Sequence, residues 1–275
     1  MSITKIKQQY TASKWSDWMS DQGLQDFDAF WHLDLDVVEK GNYDRGGWST
    51  VCRFHHDGRA FYIKRQSNHL RYSLQAFPFK EPTLKMEFDK ISRYHKHGIP
   101  CVEVVYFGWR KSQGEQQAIL VTEALDDYLP LNEFLASEDN PSICNRRRQV
   151  CEFIGKAVAR LHSAGIEHYN LYPQHIFVSR DLTRDFSQKM AMNNVDPPIR
   201  FIDLESSRAN FGLKSRKLRD LETLSRRMVR LSRADKLRVF LAYSGQNKVD
   251  KKLRAEINTI TKRTRTKLER ERPWE

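Results

Sequence analysis

The segment from Trp48 to Gln66 restricts the fold most strongly, because it alternates apolar and polar residues on both sides of Asp57-Gly58. A period of two places one row of side chains on each face of a strand, and an Asp-Gly pair is a strong signal for a tight hairpin turn. The segment therefore predicts two antiparallel strands. In the second strand Lys64 follows two apolar residues, a position suited to holding a phosphate group.

The rest of the chain predicts a change from strands to helices near residue 130. The predicted elements after the hairpin are a helix from about Pro82 to Gly98, strands at 103–109 and 117–122, a helix ending near Gly165, short strands at 176–178 and 199–202 around an exposed loop at 179–198, helices at 218–231 and 237–243, and a thin apolar stripe in the tail 248–275. We expect an α+β protein with a strand-rich N-terminal lobe (1–125), a connector near 123–130 and a mostly helical C-terminal lobe (126–275). The active site is expected between the lobes.

Composition excludes several classes of protein. With 275 residues, 39% hydrophobic and 30% charged, the chain has the balance of a folded enzyme rather than of a disordered protein. No apolar run reaches the ~18 residues of a membrane-spanning helix, and the first residues lack the apolar stretch of a secretory signal. The four cysteines show neither a C-x-x-C pair nor the spacing of a zinc site; they are Cys52, Cys101, Cys144 and Cys151. We therefore expect a soluble cytoplasmic protein with reduced, mostly buried thiols.

The positive charge lies in the last quarter of the chain. The net charge is +12, and residues 206–275 alone hold 21 basic and 8 acidic side chains. Four arginines fall near one another at helical spacing: Arg226, Arg227, Arg230 and Arg233. Such a region is either the solvated face of ordinary helices or a surface that attracts anions such as phosphates, nucleic acid or acidic lipid.

Four short segments occur in the order that phosphoryl transfer requires. The glycine-containing turn Gly41–Gly47, with Gly46, can place backbone N–H groups over phosphates. Lys64 follows it, and His168–Phe177 has the length and layout of a catalytic loop. Asp203 ends an apolar strand, where a magnesium ligand is expected.

An acidic residue should hold the ammonium group of Lys64 in place. It is expected on the helix that follows, where Glu87 is the first choice and Glu81 the second. An ion pair of this kind fixes a lysine where it can meet the α- and β-phosphates of a nucleotide.

Several of these motifs resemble those of the lipopolysaccharide kinases of the Kdo/InaA type, which belong to the protein-kinase-like superfamily. The resemblance covers about residues 40–245 and rests on Tyr62-Ile63-Lys64-Arg65-Gln66, Glu81-Pro82-Thr83-Leu84, Gly98-Ile99-Pro100, Ala159-Arg160-Leu161-His162, Tyr172-Pro173-Gln174-His175-Ile176-Phe177, Ile202-Asp203-Leu204-Glu205 and Arg219-Asp220-Leu221. It implies a two-lobed protein-kinase-like fold and the use of ATP with Mg²⁺. It also implies a sugar acceptor, heptose or Kdo, in the lipopolysaccharide inner core, and work at the cytoplasmic face of the inner membrane of a Gram-negative cell.

The same resemblance assigns roles to individual residues. Lys64 would hold the α/β-phosphates, Glu87 would orient Lys64, and Asp203 would bind Mg²⁺. The glycines of the turn, Gly41, Gly46 and Gly47, would cover the phosphates. The connector residues Glu123 and Ala124 would meet the adenine through backbone groups.

The catalytic loop departs from the kinase pattern H-R-D-L-x-x-x-N at three positions. Tyr169 replaces the Arg, Asn170 replaces the catalytic Asp, and His175 replaces the metal-binding Asn, where a neutral imidazole can bind metal or hold the loop. An amide can orient a hydroxyl group but cannot accept its proton. An active enzyme, a non-catalytic relative and an artificial Asp-to-Asn replacement all remain open, with Glu167 and His168 as the nearest substitute bases.

Four hypotheses about function follow. The first is an ATP-dependent kinase of lipopolysaccharide core sugars whose basic last quarter contacts phosphorylated lipid A and an anionic membrane surface. The second is a pseudokinase that acts as a binding or regulatory module in the cell envelope or a stress response. The third, a nucleic-acid-binding protein, is disfavoured because aromatic residues do not interleave with the basic clusters. The fourth, a small-molecule kinase of the aminoglycoside or choline type, fits a basic C-terminus less well.

Overall fold

The chain forms two compact units. The structure is a computed structural model that describes residues 4–43, 46–56, 58–72, 77–137, 144–180 and 198–270. The N-terminal unit consists of Met1–Arg93 and Val102–Asp126, and the C-terminal unit of Tyr94–Cys101 and Asp127–Glu275. The first is rich in strands with one main helix, and the second is mostly helical. The expected α+β fold class is therefore confirmed.

The N-terminal unit is built on an antiparallel sheet of six strands. Its elements in chain order are β1 (Lys5–Thr11), α1 (Ser16–Asp21), α2 (Phe27–Trp31), β2 (Val37–Asn42), β3 (Trp48–His56), β4 (Arg59–Ser67), β5 (Leu70–Tyr72), β6 (Lys80–Pro82), α3 (Thr83–Lys96), β7 (Val104–Ser112) and β8 (Glu115–Glu123). The order of strands in the sheet is β1-β7-β8-β4-β3-β2, while β5 and β6 form a separate pair. Strands β3 and β4 pair from Trp48↔Ser67 to His56↔Arg59, which confirms the predicted hairpin. Of its turn, Gly58 has a φ of 71°, and Asp57 lies outside the described residues.

The two faces of this sheet are covered by different helices. On one face Phe61 and Ile63 of β4, two residues apart, join a buried cluster with α1 and α2 that includes Trp15 and Phe30. On the other face Phe88 of α3 stacks on a β7 ring, that of Phe107, with centroids 4.3 Å apart. The alternation within β4 therefore directs Lys64 toward the face that carries α3.

Three features of the N-terminal half differ from the expected pattern. Strand β1 and the helices α1 and α2 were not predicted. Gly41 and Asn42 lie in strand β2, so the glycine turn is shorter than expected; its residues Asp44 and Arg45 lie outside the described residues. The connector expected at 123–130 begins with the last residue of β8 and ends with a further strand, Tyr128–Pro130.

The C-terminal unit combines helices with short strands. Its elements in chain order are β9 (Tyr128–Pro130), α4 (Leu131–Ser137), α5 (Cys144–Ser163), β10 (Ile166–Glu167), β11 (Ile176–Ser179), β12 (Ile199–Phe201), β13 (Arg208–Ala209), α6 (Lys214–Arg227), α7 (Arg233–Ser244) and α8 (Lys251–Arg270). Strands β12, β11 and β9 form one small sheet, and β10 pairs with β13. Helix α5 approaches α7 closely at Gly155, where a Cβ atom would lie 2.5 Å from the carbonyl oxygen of Val239.

Most of the predicted helices and strands after residue 130 are confirmed. Helix α6 ends at Arg227, earlier than expected, although Met228 and Leu231 are buried as the apolar spacing predicts. The apolar stripe of the tail belongs to helix α8, in which Leu253 and Ile260 are buried. Of the loop predicted at 179–198, Ser179 ends β11 and residues 181–197 lie outside the described residues.

Two further sequence predictions concern membrane spans and cysteines. Within the described ranges no helix combines the length and apolar character needed to cross a membrane. Cys52, Cys101 and Cys151 are buried free thiols, and burial raises the pKa of Cys151 to about 12. The side chain of Cys144 lies outside the described residues.

Candidate active site

Lys64 and Glu87, the pair expected from the sequence, form an ion pair in the N-terminal unit. Lys64 lies on β4 and Glu87 on α3, and Nζ is 2.7 Å from Oε1. Their side chains are 33% and 15% exposed, so the pair is sheltered but reachable from solvent. The second choice, Glu81, instead lies 3.4 Å from the ammonium group of Lys85. The structure therefore brings together the two residues that the order of motifs selected.

Helix α3 is attached to strand β4 at its N-terminus by Gln66. The fully buried amide of Gln66 accepts hydrogen bonds from the Leu84 N–H and from the Thr83 hydroxyl, both at 2.9 Å. Its Nε2 donates to the carbonyl oxygen of His69 at 2.8 Å. The first N–H groups of a helix have no partner within the helix. Gln66 supplies such a partner. Because Gln66 lies two residues after Lys64 on β4, it fixes α3 close to Lys64.

The glycine turn and the connector have defined backbone environments in the same unit. Gly46 has a φ of 76°, and a Cβ on Gly47 would lie 2.2 Å from the carbonyl oxygen of Ser67, so both positions require glycine. The N–H groups of Glu123 and Ala124 already donate to backbone carbonyl oxygens of the unit. If these two residues contact an adenine through their backbone, they would therefore use their carbonyl oxygens. The phosphate and adenine contacts themselves stay predictions.

In the C-terminal unit, Asp220 of α6 anchors the predicted catalytic loop. Its carboxylate is fully buried and accepts hydrogen bonds from the backbone N–H groups of His168 (2.7 Å) and Tyr169 (2.9 Å). It also lies 3.2 Å from Nε2 of His162. Tyr169 adopts a left-handed conformation with a φ of 73°, and the guanidinium group of Arg208 lies 4.0 Å from its ring centroid. Asp220 thus holds the start of the predicted catalytic loop through hydrogen bonds from backbone N–H groups.

The two candidate substitute bases are both enclosed by the protein. His168 is fully buried, and its Nε2 lies 3.1 Å from the carbonyl oxygen of Ile202, to which it donates. Burial lowers the pKa of His168, so its imidazole is neutral. The carboxylate of Glu167 is fully buried among three arginines, 3.1 Å from Nε of Arg208, 3.5 Å from Nε of Arg219 and 4.0 Å from Nε of Arg216. These positions favour a structural role for Glu167 and an orienting role for His168.

Asn170, His175 and Asp203 meet within the C-terminal unit. The Asn170 amide donates to Ser206 at 3.1 Å, and the Asn170 backbone carbonyl accepts from Nδ1 of His175 at 2.8 Å. The same Nδ1 lies 3.4 Å from Oδ2 of Asp203. Asp203 follows β12 in a left-handed conformation (φ 55°, ψ 55°), and its side chain is 37% exposed. The loop and the residue after β12 therefore converge, as the sequence predicts.

The side chains at this site fit a Mg²⁺ ion that would be bound mainly by the phosphates of a nucleotide. In the described part of the chain no three or more His, Cys, Asp or Glu side chains are grouped as a metal site. Mg²⁺ in phosphoryl-transfer enzymes needs only one or two protein carboxylates beside phosphates and waters, and Asp203 provides one. Because Nδ1 of His175 donates to a carbonyl, its Nε2 keeps the lone pair and lies 3.5 Å from the Gln174 amide. His175 as a ligand would therefore use Nε2.

Comparison with protein families decides the classification. Residues 28–243 match the Lipopolysaccharide kinase (Kdo/WaaP) family. The chain belongs to this family. Membership supports a lipopolysaccharide kinase and, more generally, a phosphotransferase, and a kinase family implies ATP and usually a divalent metal ion.

Two characterised relatives and one solved structure agree with the family. The chain is 28% identical to Protein InaA of Escherichia coli over 66% of its own length and 79% of that protein. It is 26% identical to the lipopolysaccharide core heptose(I) kinase WaaP of Pseudomonas aeruginosa, covering 68% of this chain and 70% of WaaP. It superposes on a structure of WaaP in complex with acyl carrier protein with a TM-score of 0.64, at 20% identity, over 94% of this chain and 98% of that one. The kinase-like fold is therefore shared.

Sequence reasoning assigned no role to three residues that shape this site, although the first two lie within motifs that carry the resemblance: Gln66, Asp220 and Ser206. Asp220 carried a usable signal, because it lies four residues before Leu224 and so on the apolar face of α6. An acidic residue on a buried face almost always has a polar partner. Gln66 and Ser206 carried no comparable signal.

Proposed function

We propose that this chain transfers the γ-phosphoryl group of ATP to a hydroxyl group of heptose or Kdo in the lipopolysaccharide inner core. The observation that carries the proposal is the 2.7 Å ion pair between Lys64 and Glu87, on the strand and helix that protein kinases use for this purpose. Lys64 would bind the α/β-phosphates, and Asp203 would bind a metal ion. Bound Mg²⁺ would neutralise charge on the transferring group. The heptose kinase among the relatives favours heptose as the first acceptor to test.

Asn170 limits how the acceptor hydroxyl is activated. Its Nδ2 donates to Ser206, so Oδ1 is the atom that can accept a hydrogen bond from a sugar hydroxyl. An amide oxygen orients the hydroxyl group but does not take its proton. Loss of general-base catalysis costs roughly 10²–10⁴-fold in rate. Because the transition state is loose and depends mainly on positioning and charge neutralisation, we expect slow transfer rather than none.

The test measures transfer of radiolabelled phosphate from Mg·ATP to rough lipopolysaccharide, with ATP binding measured separately by calorimetry. Lys64→Ala should weaken Mg·ATP binding and reduce transfer by about a hundredfold or more, because a cation aimed at the phosphates is lost. Lys85→Ala is the matched control, since Lys85 lies on the same helix as Glu87 and pairs with Asp89 at 2.5 Å. Binding and transfer that are unchanged in Lys64→Ala would show that the site is misassigned.

A pseudokinase is the second candidate, and Asn170 at the position of the catalytic Asp is the observation that favours it. Asn170→Asp restores the carboxylate without changing the size of the side chain. Transfer that occurs only in Asn170→Asp would assign a binding role to the chain as it stands. Transfer in the unchanged protein would exclude that role. The acceptor is then identified by mass spectrometry of core oligosaccharide from cells with and without the gene.

The proposal also covers the location of the protein in the cell. We expect a cytoplasmic protein that meets its lipid-linked acceptor at the cytoplasmic face of the inner membrane. The 21 basic side chains of residues 206–275 support contact with an anionic surface, since each basic residue near such a surface contributes about 1 kcal/mol.

A further inference from the structure

A concave basic surface lies in the C-terminal unit between helices α6 and α8. It encloses about 560 Å³ and is called the basic groove here. Nine residues line it: Ser215, Arg219, Glu222, Thr259, Lys262, Arg263, Thr266, Lys267 and Arg270. Five of the nine are cationic and one is acidic. The volume falls in the range of sites that hold small ligands or head groups.

The single acidic residue of the basic groove is already neutralised. Glu222 is buried at 1% exposure, accepts a hydrogen bond from Arg226 at 2.8 Å and pairs with Lys267. Arg219 also has a partner, because its Nε lies 3.5 Å from Glu167. These contacts hold the base of the groove and account for two of its five cations, Arg219 and Lys267.

Three cations of the basic groove lack a carboxylate partner among the residues that the structure describes: Lys262, Arg263 and Arg270. Arg263 and Lys267 are four residues apart on α8 and lie on the same face, and Glu222 compensates the charge of Lys267. Elsewhere on the same helix Arg265 pairs with Glu269 at 2.9 Å. Four of the eight basic residues of α8 line the groove.

We propose that the basic groove binds a ligand that carries clustered phosphate groups. Guanidinium and ammonium groups bind phosphate by charge-assisted hydrogen bonds, and several cations in one concave site favour more than one phosphate. Among the residues that the structure describes, no aromatic side chain lines the groove, and these residues offer no stacking surface of the kind that single-stranded nucleic acids use. A phosphorylated lipid head group and a soluble sugar bisphosphate share this chemistry. This binding goes beyond phosphoryl transfer and requires no ATP.

The test compares two double variants of the same helix with the same change in charge. Lys262→Ser/Arg263→Ser removes two cations from the basic groove. Lys251→Ser/Lys252→Ser removes two exposed cations from the start of α8, outside the groove. Binding of fructose 1,6-bisphosphate is measured by calorimetry in about 150 mM NaCl. Sedimentation with phosphatidylcholine vesicles, with and without about 20% phosphatidic acid, tests the lipid source under the same salt conditions, because screening matters there.

The expected result is binding by the unchanged protein that falls about tenfold or more in the groove variant and less than twofold in the control variant. Binding to fructose 1,6-bisphosphate identifies a soluble source, and binding only to phosphatidic acid vesicles identifies a lipid. Equal losses in both variants, no binding to either probe, or groove-dependent binding of single-stranded DNA alone would each overturn the proposal. If the double variant does not fold, Lys262→Ser replaces it, since Lys262 is exposed. None of these measurements depends on kinase activity.

Discussion

Replacing Gln66 by Leu should release the N-terminus of helix α3 from strand β4. Leucine has a similar size but cannot accept the hydrogen bonds from the Thr83 hydroxyl and the Leu84 N–H, or donate to the carbonyl oxygen of His69. The Thr83 hydroxyl keeps its contact with the imidazole of His69 at 3.0 Å. The Leu84 N–H loses its partner in a site where Gln66 is 0% exposed, whereas the His69 carbonyl loses one donor and keeps the Thr83 N–H at 3.2 Å.

The magnitude follows from the buried Leu84 N–H, which is left without a partner, and from the lost hydrogen bond to the His69 carbonyl. A buried donor left without a partner costs about 1–3 kcal/mol, and a typical hydrogen bond contributes about 1 kcal/mol. Together they give a loss of roughly 2–4 kcal/mol in the free energy of unfolding, a large part of the 5–15 kcal/mol that is typical of a domain.

Urea unfolding followed by tryptophan fluorescence measures the effect. Five of the six tryptophans belong to the N-terminal unit, so the signal reports mainly on that unit: Trp15, Trp18, Trp31, Trp48 and Trp109. Gln9→Leu, at an exposed position of strand β1, is the control. If Gln66→Leu lowers the midpoint no more than Gln9→Leu does, Gln66 does not hold the helix and the reasoning fails.

Two further predictions concern the C-terminal unit. Asp220→Asn should lower its stability by about 2–4 kcal/mol, because hydrogen bonds from two buried N–H groups to a charged acceptor are weakened. Unfolding followed by the helical circular-dichroism signal checks this, and an equal effect of the exposed Asp127→Asn would contradict it. His168 should make stability depend on pH, because burial lowers its folded pKa below the unfolded value of about 6.5. The unfolded chain then binds the extra proton, so this contribution is present above about pH 6.5 and is lost as the pH falls, by at most about 1.4 kcal/mol per unit. In metal-free buffer His168→Gln should flatten the stability profile between pH 7.5 and 5.5, and an unchanged profile would exclude His168 as its source.

Local periodicity predicted the elements whose burial pattern repeats over many residues. The hairpin of β3 and β4 and helix α5 belong to this group, since a strand alternates and a long helix shows an apolar stripe. Helices α1 and α2 have six and five residues, too few for a helical period to emerge. Their aromatic residues are buried only because a sheet face lies beneath them. That is a tertiary effect, which a window of sequence does not contain.

The residues of the candidate site also differ in how far the sequence alone reveals them. Lys64 and Glu87 could be selected from sequence because their order along the chain follows from the chemistry of phosphate binding. Gln66 and Asp220 lie within quoted motifs, and Asp220 lies on an apolar helix face, but their partners are mainly backbone atoms whose positions depend on the fold. Asp220 lies 52 residues from the N–H group of His168 that it holds. Neither residue type nor spacing reveals such a partner.

The anchoring of the catalytic loop by Asp220 has a consequence for what the loop can carry. The carboxylate recognises the N–H groups of His168 and Tyr169, which every amino acid except proline possesses. The path of the backbone is thus specified separately from the side chains displayed on it. Exchanges at residues 169, 170 and 175 can therefore alter reactivity while the backbone that carries them keeps its shape.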